Sequence, residues 1–255
     1  MLEIAIRLAM RAGTFLNDHI HDAISIEHKG RIDLVTNMDR KAQEIIVDAI
    51  EHERPQDGIL AEEECEKKGS SEYVWIIDPI DGTTNFIHHI PFFCVSIAVT
   101  KSSRPYIGVC YNPVSRDIFH AQEGQGAYHN RRRISVSMTE KLIDSLVATG
   151  FPYRQEKLDE VLARFSNVLR RARGIRRFGS AELDLCHVAS GAFDAFWEEG
   201  LKPWDMAAGV AILQEAGGMV TSLDGSPFDL YRGDVLASNV KVHRELLRCM
   251  KNECH

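Results

Sequence analysis

The sequence predicts an α/β fold in which helices are layered with two sheets, in two joined halves. Apolar residues at helical spacing mark two amphipathic helices at the start. Short β-like stretches between residues 92 and 137 are joined by Gly-, Asn- and Pro-marked turns, as in an antiparallel meander. From Pro152 onward helical and extended stretches alternate to the end. At 255 residues the chain can bury a sizeable core, and it reads as a single domain, 1–255, with halves 1–150 and 151–255.

Ile4, Leu8, Ala12 and Phe15 recur at helical spacing, which predicts a helix over 2–18. Ala42, Ile45, Ile46, Ala49 and Ile50 predict a second over 37–53, with HKGRIDLVTN as the connector. GILA and then YVWII read as strands, the second ending at Asp78 because Pro79 has no N–H for a ladder. FFCVSIAVT (92–100), PYIGVCYNP (105–113), RDIFHAQ (116–122) and RISVS (133–137) form the meander. The second half reads as helix 157–172, strand 174–179, helix 180–191, strand 192–199, helix 204–217, strands 218–222 and 234–238, and a terminal helix from Lys241.

Composition narrows the function. The chain is 44% hydrophobic and 26% charged, an ordinary globular balance. Its net charge of −7 argues against a nucleic-acid backbone or an anionic membrane as main partner, so an acidic chain that handles anions needs metal ions. No apolar run reaches a membrane-spanning length, and Glu3, Arg7 and Arg11 interrupt the N-terminal stretch where a signal peptide is uninterrupted, so a cytoplasmic location is expected. Six cysteines without a CxxC pair read as reduced packing residues, with Cys249 and Cys254 near the terminus the most open to oxidation.

Chemistry concentrates in a few stretches. In WIIDPIDGTTNF, Asp78 and Asp81 flank a stiff turn, and with the Ile80 carbonyl they make an all-oxygen set for a hard divalent cation such as Mg²⁺. Gly82, Thr83 and Thr84 follow at a helix start, where N–H groups and hydroxyls suit a phosphate oxygen. GILAEEE adds Glu62 at a strand end, although a run of three Glu is equally a solvated loop. Asp205, in KPWDMAAG, reads either as an N-cap or as an outward-facing ligand, and the same choice applies to Asp39 in TNMD, where Thr36 completes a capping box. His88, His89 and His187 do not make a zinc set, and GxSxG, Walker and GxGxxG signatures are missing.

Taken together, DPIDGTTNF (78–86), PWDMAAGVAILQEAGG (203–218), AEEE (61–64) and DLVTNMD (33–39) resemble the inositol monophosphatase family. ATGFPYR, FGSAELDL and GLKPWD are similar to its bacterial SuhB-type members, which also act in transcription antitermination. The resemblance implies a five-layered αβαβα sandwich and a lithium-sensitive, homodimeric phosphomonoesterase using about two to three Mg²⁺ per subunit. It implies that Glu62, Asp78 and the Ile80 carbonyl hold one metal, and Asp78, Asp81 and Asp205 another, with Glu62 bordering a third. Thr83 and Glu62 would orient and deprotonate the attacking water, supported by Asp39. Gly82 and Thr83 would hold phosphate, and Asp81, Ala181 and Glu198 the hydroxyls of a polyol; Glu199 beside Glu198 leaves that last choice open. Lys29, in the connector HKGRID, would sit in a loop that closes over the third metal. The expected substrate is myo-inositol 1-phosphate or a similar polyol or sugar monophosphate, with fructose-1,6-bisphosphatase activity, or a transcription-machinery partner role with catalysis secondary, as alternatives. Phosphatases for 3′-phosphoadenosine 5′-phosphate usually carry Lys where Thr84 stands. Residues 174–181, GIRRFGSA, are the expected part of a dimer interface.

Overall fold

The computed structural model describes residues 1–21, 26–28, 34–152 and 158–251. Lys29, most of its connector and Cys254 lie outside the described residues. Helices α1 (Leu2–Asp18) and α2 (Asn37–Glu53) fall where the apolar spacing puts them, burying Leu8, Ala12 and Leu16 on one and Ala42, Ile46 and Ile50 on the other. Between them the connector forms two short paired strands, β1 (Ile26–His28) and β2 (Leu34–Thr36).

Next come β3 (Gly58–Ala61), β4 (Cys65–Lys67), β5 (Tyr73–Asp81) and the short helix α3 (Thr83–Ile87). The meander then runs through β6 (Cys94–Lys101), β7 (Arg104–Asn112), β8 (Asp117–Gln122), β9 (Gly126–His129) and β10 (Arg132–Ile134). These strands make one eight-stranded sheet in the order β10-β9-β8-β7-β6-β5-β3-β4. All its neighbours are antiparallel except β3 and β5, whose parallel pairing brings both C-terminal ends to the same edge of the molecule.

A second, five-stranded sheet comprises β11 (Leu146–Thr149), β12 (Gly174–Arg176), β13 (Ala195–Glu199), β14 (Met219–Thr221) and β15 (Asp234–Ser238), in the order β12-β11-β13-β15-β14. Strand β11 therefore belongs to the second sheet although it precedes residue 150. Helices α4 (Leu158–Leu169), α5 (Ala181–Ala189), α6 (Ala207–Glu215) and α7 (His243–Met250) complete the chain.

Strand alternation sorts the side chains into three cores. Trp75, Ile77, Val95, Ile97 and Val99 face α1 and α2. Ile76, Cys94 and Ala98, one residue out of phase, face α5 and α6 together with Phe196 and Ala237 of the second sheet. Trp197 and Leu236 point out of that sheet toward Val168 of α4 and Leu246 of α7. The layers are thus helix, sheet, helix, sheet, helix. Helices α5 and α6 are apolar on nearly every side because they are sandwiched between sheets, burying Leu183, Leu185, Val210 and Ile212.

Two expectations need correction. Strand β5 does not stop at Asp78: its register against β6 jumps from the Asp78 and Ser96 pair to the Asp81 and Cys94 pair, so Pro79 and Ile80 fit as a bulge in which the missing N–H breaks no rung. Cys249 is not open to oxidation, for it is fully buried on α7 with its Sγ 3.2 Å from the Asn167 carbonyl oxygen.

Candidate active site

The bulge carries Asp78 and Asp81 out at the edge where β3 also ends, and Glu62 follows β3 with its N–H still bonded to the Ile77 carbonyl. Gln43 of α2 clamps the next residue from both sides, accepting from Glu63 N–H and donating to its carbonyl at 2.9 Å each. The chain then turns at Gly82, whose φ of +98° is open to glycine, and where an added Cβ would stand 3.2 Å from the Gly179 and Phe92 carbonyl oxygens. Asn85, one turn into α3, donates to the Phe92 and Phe178 carbonyls at 2.7 Å and so fastens this turn to the segment before α5.

These elements enclose a cleft of about 760 Å³ that is lined by Glu62, Asp78, Ile80, Asp81, Gly82, Thr83, Ala181, Glu198 and Asp205. The residues expected to hold metal, water, phosphate or hydroxyls are on its wall except Asp39, which stands behind Thr83 and is buried, while Thr84 is exposed and off the wall. Asp39 combines the two readings open to it. Its Oδ2 closes the α2 capping box by accepting the Thr36 N–H at 2.8 Å, while its Oδ1 lies 3.3 Å from Thr83 Oγ1. The Ile80 carbonyl is 3.1 Å from the same hydroxyl, whose single proton serves one acceptor at a time. Asp205 is not the cap of α6; it sits in a 3-10 turn, Pro203–Asp205, and its carboxylate accepts the Lys202 N–H at 2.6 Å.

The acids act strongly on one another. Burial pushes the Asp78 carboxyl well above the usual range, and Glu62, Asp81 and Asp205 push it further. Asp205 is raised for the same reasons, burial first and then Glu62 and Asp81 against the Lys202 N–H. Asp81 rises only to about 6 because Ser180 Oγ at 2.6 Å and the Glu182 N–H at 2.8 Å support its charge. Asp39 is likewise lifted by burial to about 6. Glu198 is raised by burial to about 8, with Arg177 working against the shift.

Among the described residues no group of three His, Cys, Asp or Glu side chains is arranged to hold an ion as it stands, and Asp78, Asp81 and Asp205 each have an oxygen tied to a local N–H or hydroxyl. The donors nevertheless fit a hard divalent cation. They are all oxygen, they come from strand ends and turns, and their mutual repulsion is the kind a cation offsets.

The structure also separates Glu198 from Glu199. Both line the cleft, but Glu198 has the strand parity of Phe196 and sets its carboxylate against Gly150, whereas Glu199 is paired with Arg164. Sequence reasoning missed Ser180, Glu182 and Asp184, whose signal was available as polar residues at the head of an otherwise apolar helix, α5. Glu182 is fully buried and raised to about 8, chiefly by burial; it accepts from Ser96 Oγ and the Ala208 N–H at 3.0 Å and from the Gly209 N–H, tying α5 to β6 and to the start of α6. Gly150 was missed as well: a Cβ there would overlap the Glu198 carboxylate.

Residues 1–254 match the profile of the Inositol monophosphatase family. The chain belongs to the inositol monophosphatase family. Inositol-1-monophosphatase of Synechocystis is 44% identical over 252 residues, 98% of this chain and 88% of that relative. Nus factor SuhB of Pseudomonas aeruginosa is 44% identical, with 97% of this chain and 94% of the relative covered. Among solved structures, extragenic suppressor protein suhB of Bartonella henselae superposes with a TM-score of 0.95 at 41% identity over 99% of this chain and 98% of its own. Inositol monophosphatase from Anabaena gives 0.90 at 41% identity, covering 98% and 95%. The layered α/β fold expected from the motifs is borne out, and the chain is an enzyme, a phosphatase of the inositol phosphate type. No helix among the described residues is long and apolar enough to cross a membrane.

Proposed function

We propose that the cleft hydrolyses myo-inositol 1-phosphate or a similar polyol or sugar monophosphate, with about two to three Mg²⁺ per subunit held by Glu62, Asp78, the Ile80 carbonyl, Asp81 and Asp205. The observation that carries this reading is the buried Asp78 carboxyl, repelled by three other acids on the wall of a cleft that also contains Glu198. Bound divalent cations supply charge neutralisation and polarise the phosphoryl group. The chain's own residues do the rest. With the Ile80 carbonyl engaged elsewhere, the Thr83 proton goes to Asp39, and the hydroxyl oxygen is free to accept from the attacking water and orient it. Glu62, which lines the same cleft, takes the proton of that water. Backbone N–H groups of Gly82 and Thr83 bind phosphate, while Asp81, Ala181 and Glu198 meet the hydroxyls.

The test is a panel of phosphate esters, fructose 1,6-bisphosphate included, assayed with Mg²⁺ and after exhaustive chelation. Chelation is expected to abolish turnover, Mg²⁺ to restore it, and lithium to inhibit at submillimolar to millimolar concentrations. Asp205→Asn is expected to lose most of its kcat while staying folded. Full turnover without divalent ions would overturn the mechanism, and a preference for fructose 1,6-bisphosphate would replace the substrate. The relatives named Nus factor SuhB favour a second role as a partner of the transcription machinery, which a pull-down with transcription factors tests. A homodimer joined in part through residues 174–181 belongs to the same reading, and a single-chain mass in light scattering would remove it.

A further inference from the structure

Buried polar atoms almost always have a hydrogen-bond partner, and one that has none calls for a ligand or another explanation. Among the described residues the buried side-chain atoms without one are His120 Nδ1, Asp184 Oδ1, Ser222 Oγ and Asp234 Oδ1. Of their residues, Asp184 alone lines the cleft. It lies one helical turn into α5 and is 2% exposed. Its charge is felt beside Glu198 and Asp81, and the Arg177 guanidinium attracts both it and Glu198.

We infer that Asp184 is a second hydroxyl-binding carboxyl, which with Glu198 selects a polyol monophosphate carrying two neighbouring free hydroxyls away from its phosphate. The inference rests on the polyol phosphatase reading and deepens it. Among the described residues nothing uses Oδ1: unlike the Glu182 carboxylate two residues earlier, it caps no helix and ties no strand there. The last torsion of an Asp side chain is broad, so the carboxyl can turn its free oxygen to a hydroxyl at the wall. A hydroxyl suits it better than an ammonium group, because Arg177 already supplies the local positive charge. Two acceptors on adjoining elements, α5 and β13, also measure the spacing between two hydroxyls, which Glu198 alone cannot do.

Steady-state kinetics of Asp184→Asn on myo-inositol 1-phosphate and on p-nitrophenyl phosphate test this at saturating Mg²⁺. For the inositol ester kcat/KM is expected to fall roughly threefold to tenfold, mostly through KM, as for loss of one hydrogen bond. For p-nitrophenyl phosphate, which has no such hydroxyls, it should stay within about twofold of wild type. Asp184→Ser serves as a second variant, with thermal melting as the check that each is folded. An equal fall on both substrates would make Asp184 structural, and an unchanged preference would leave it without a role in specificity; either overturns the inference alone. A wild-type enzyme with no preference for the inositol ester would overturn the substrate reading and the inference together.

Discussion

Glycine at position 150 leaves the space that the Glu198 carboxylate fills, since a Cβ there would sit inside its van der Waals radius. Gly150→Ala is therefore expected to push Glu198 off its seat and lower kcat/KM for a polyol phosphate by the roughly threefold to tenfold of a lost hydrogen bond, with little change for p-nitrophenyl phosphate. Kinetics on the two esters check this, and an equal fall on both, or no fall on either, would show that Glu198 does not read the substrate. His243 makes a different prediction at the same scale. It is buried with its ring nitrogens 2.8 Å from Ser238 Oγ and 2.9 Å from Thr221 Oγ1, and burial lowers it from 6.5 to about 4. The unfolded chain then binds the proton first. Stability from the neutral ring is complete above about pH 6.5 and is lost as the pH falls toward 4, by on the order of 3 kcal/mol. Urea unfolding at pH 7 and pH 4.5 should show a shallower pH dependence for His243→Gln than for wild type, the raised carboxyls of the cleft being common to both.

Among the elements, α6 is the one held in place from most directions. Glu182 caps its first N–H groups, and β7 approaches so closely at Gly108 that an added Cβ would be 2.3 Å from the Ala208 carbonyl oxygen. Gly108→Ala is expected to destabilise the protein by about 1–3 kcal/mol, because the obstacle is backbone and cannot rotate away. An unchanged urea midpoint would mean that α6 can shift freely. The long elements were legible because their periodicity spans several turns or rungs: α1, α2 and strands β6, β7 and β8 sit where their apolar residues place them, whereas the strand expected over 133–137 is only β10, Arg132–Ile134. Strands β4, β9 and β11 were not, since three or four residues are too few to display an alternation, and LVAT in β11 is apolar on both sides because both of its faces are covered. The site was legible in its acids and its Gly82 turn. Its supports, Gln43, Asn85, Ser180 and Glu182, were not, because each acts on a residue distant in sequence, as with Ser180 on Asp81.

Across the whole molecule, the acids of the cleft come from both sheets' sides: Glu62, Asp78 and Asp81 from the ends of β3 and β5, Glu198 from β13 and Asp205 from the turn before α6. An unfolded chain holds none of these groups together. On the proposed metal reading, ion occupancy and folding are linked: a divalent cation that binds only the assembled cleft would add stability that grows with the logarithm of its concentration, about 2.7 kcal/mol at a hundred times its dissociation constant. Thermal melts across a Mg²⁺ titration should rise without a plateau over that range, and Asp205→Asn should flatten the rise even where wild type and variant melt alike in chelator. A melting temperature indifferent to Mg²⁺ would remove the link. The crowding of like charges thus makes the free enzyme the softer species, and on the proposed metal reading the same carboxylates that repel across the gap between the sheets would turn ambient magnesium into a clasp, tying how long the molecule lasts to the availability of the ion as well as how fast it works.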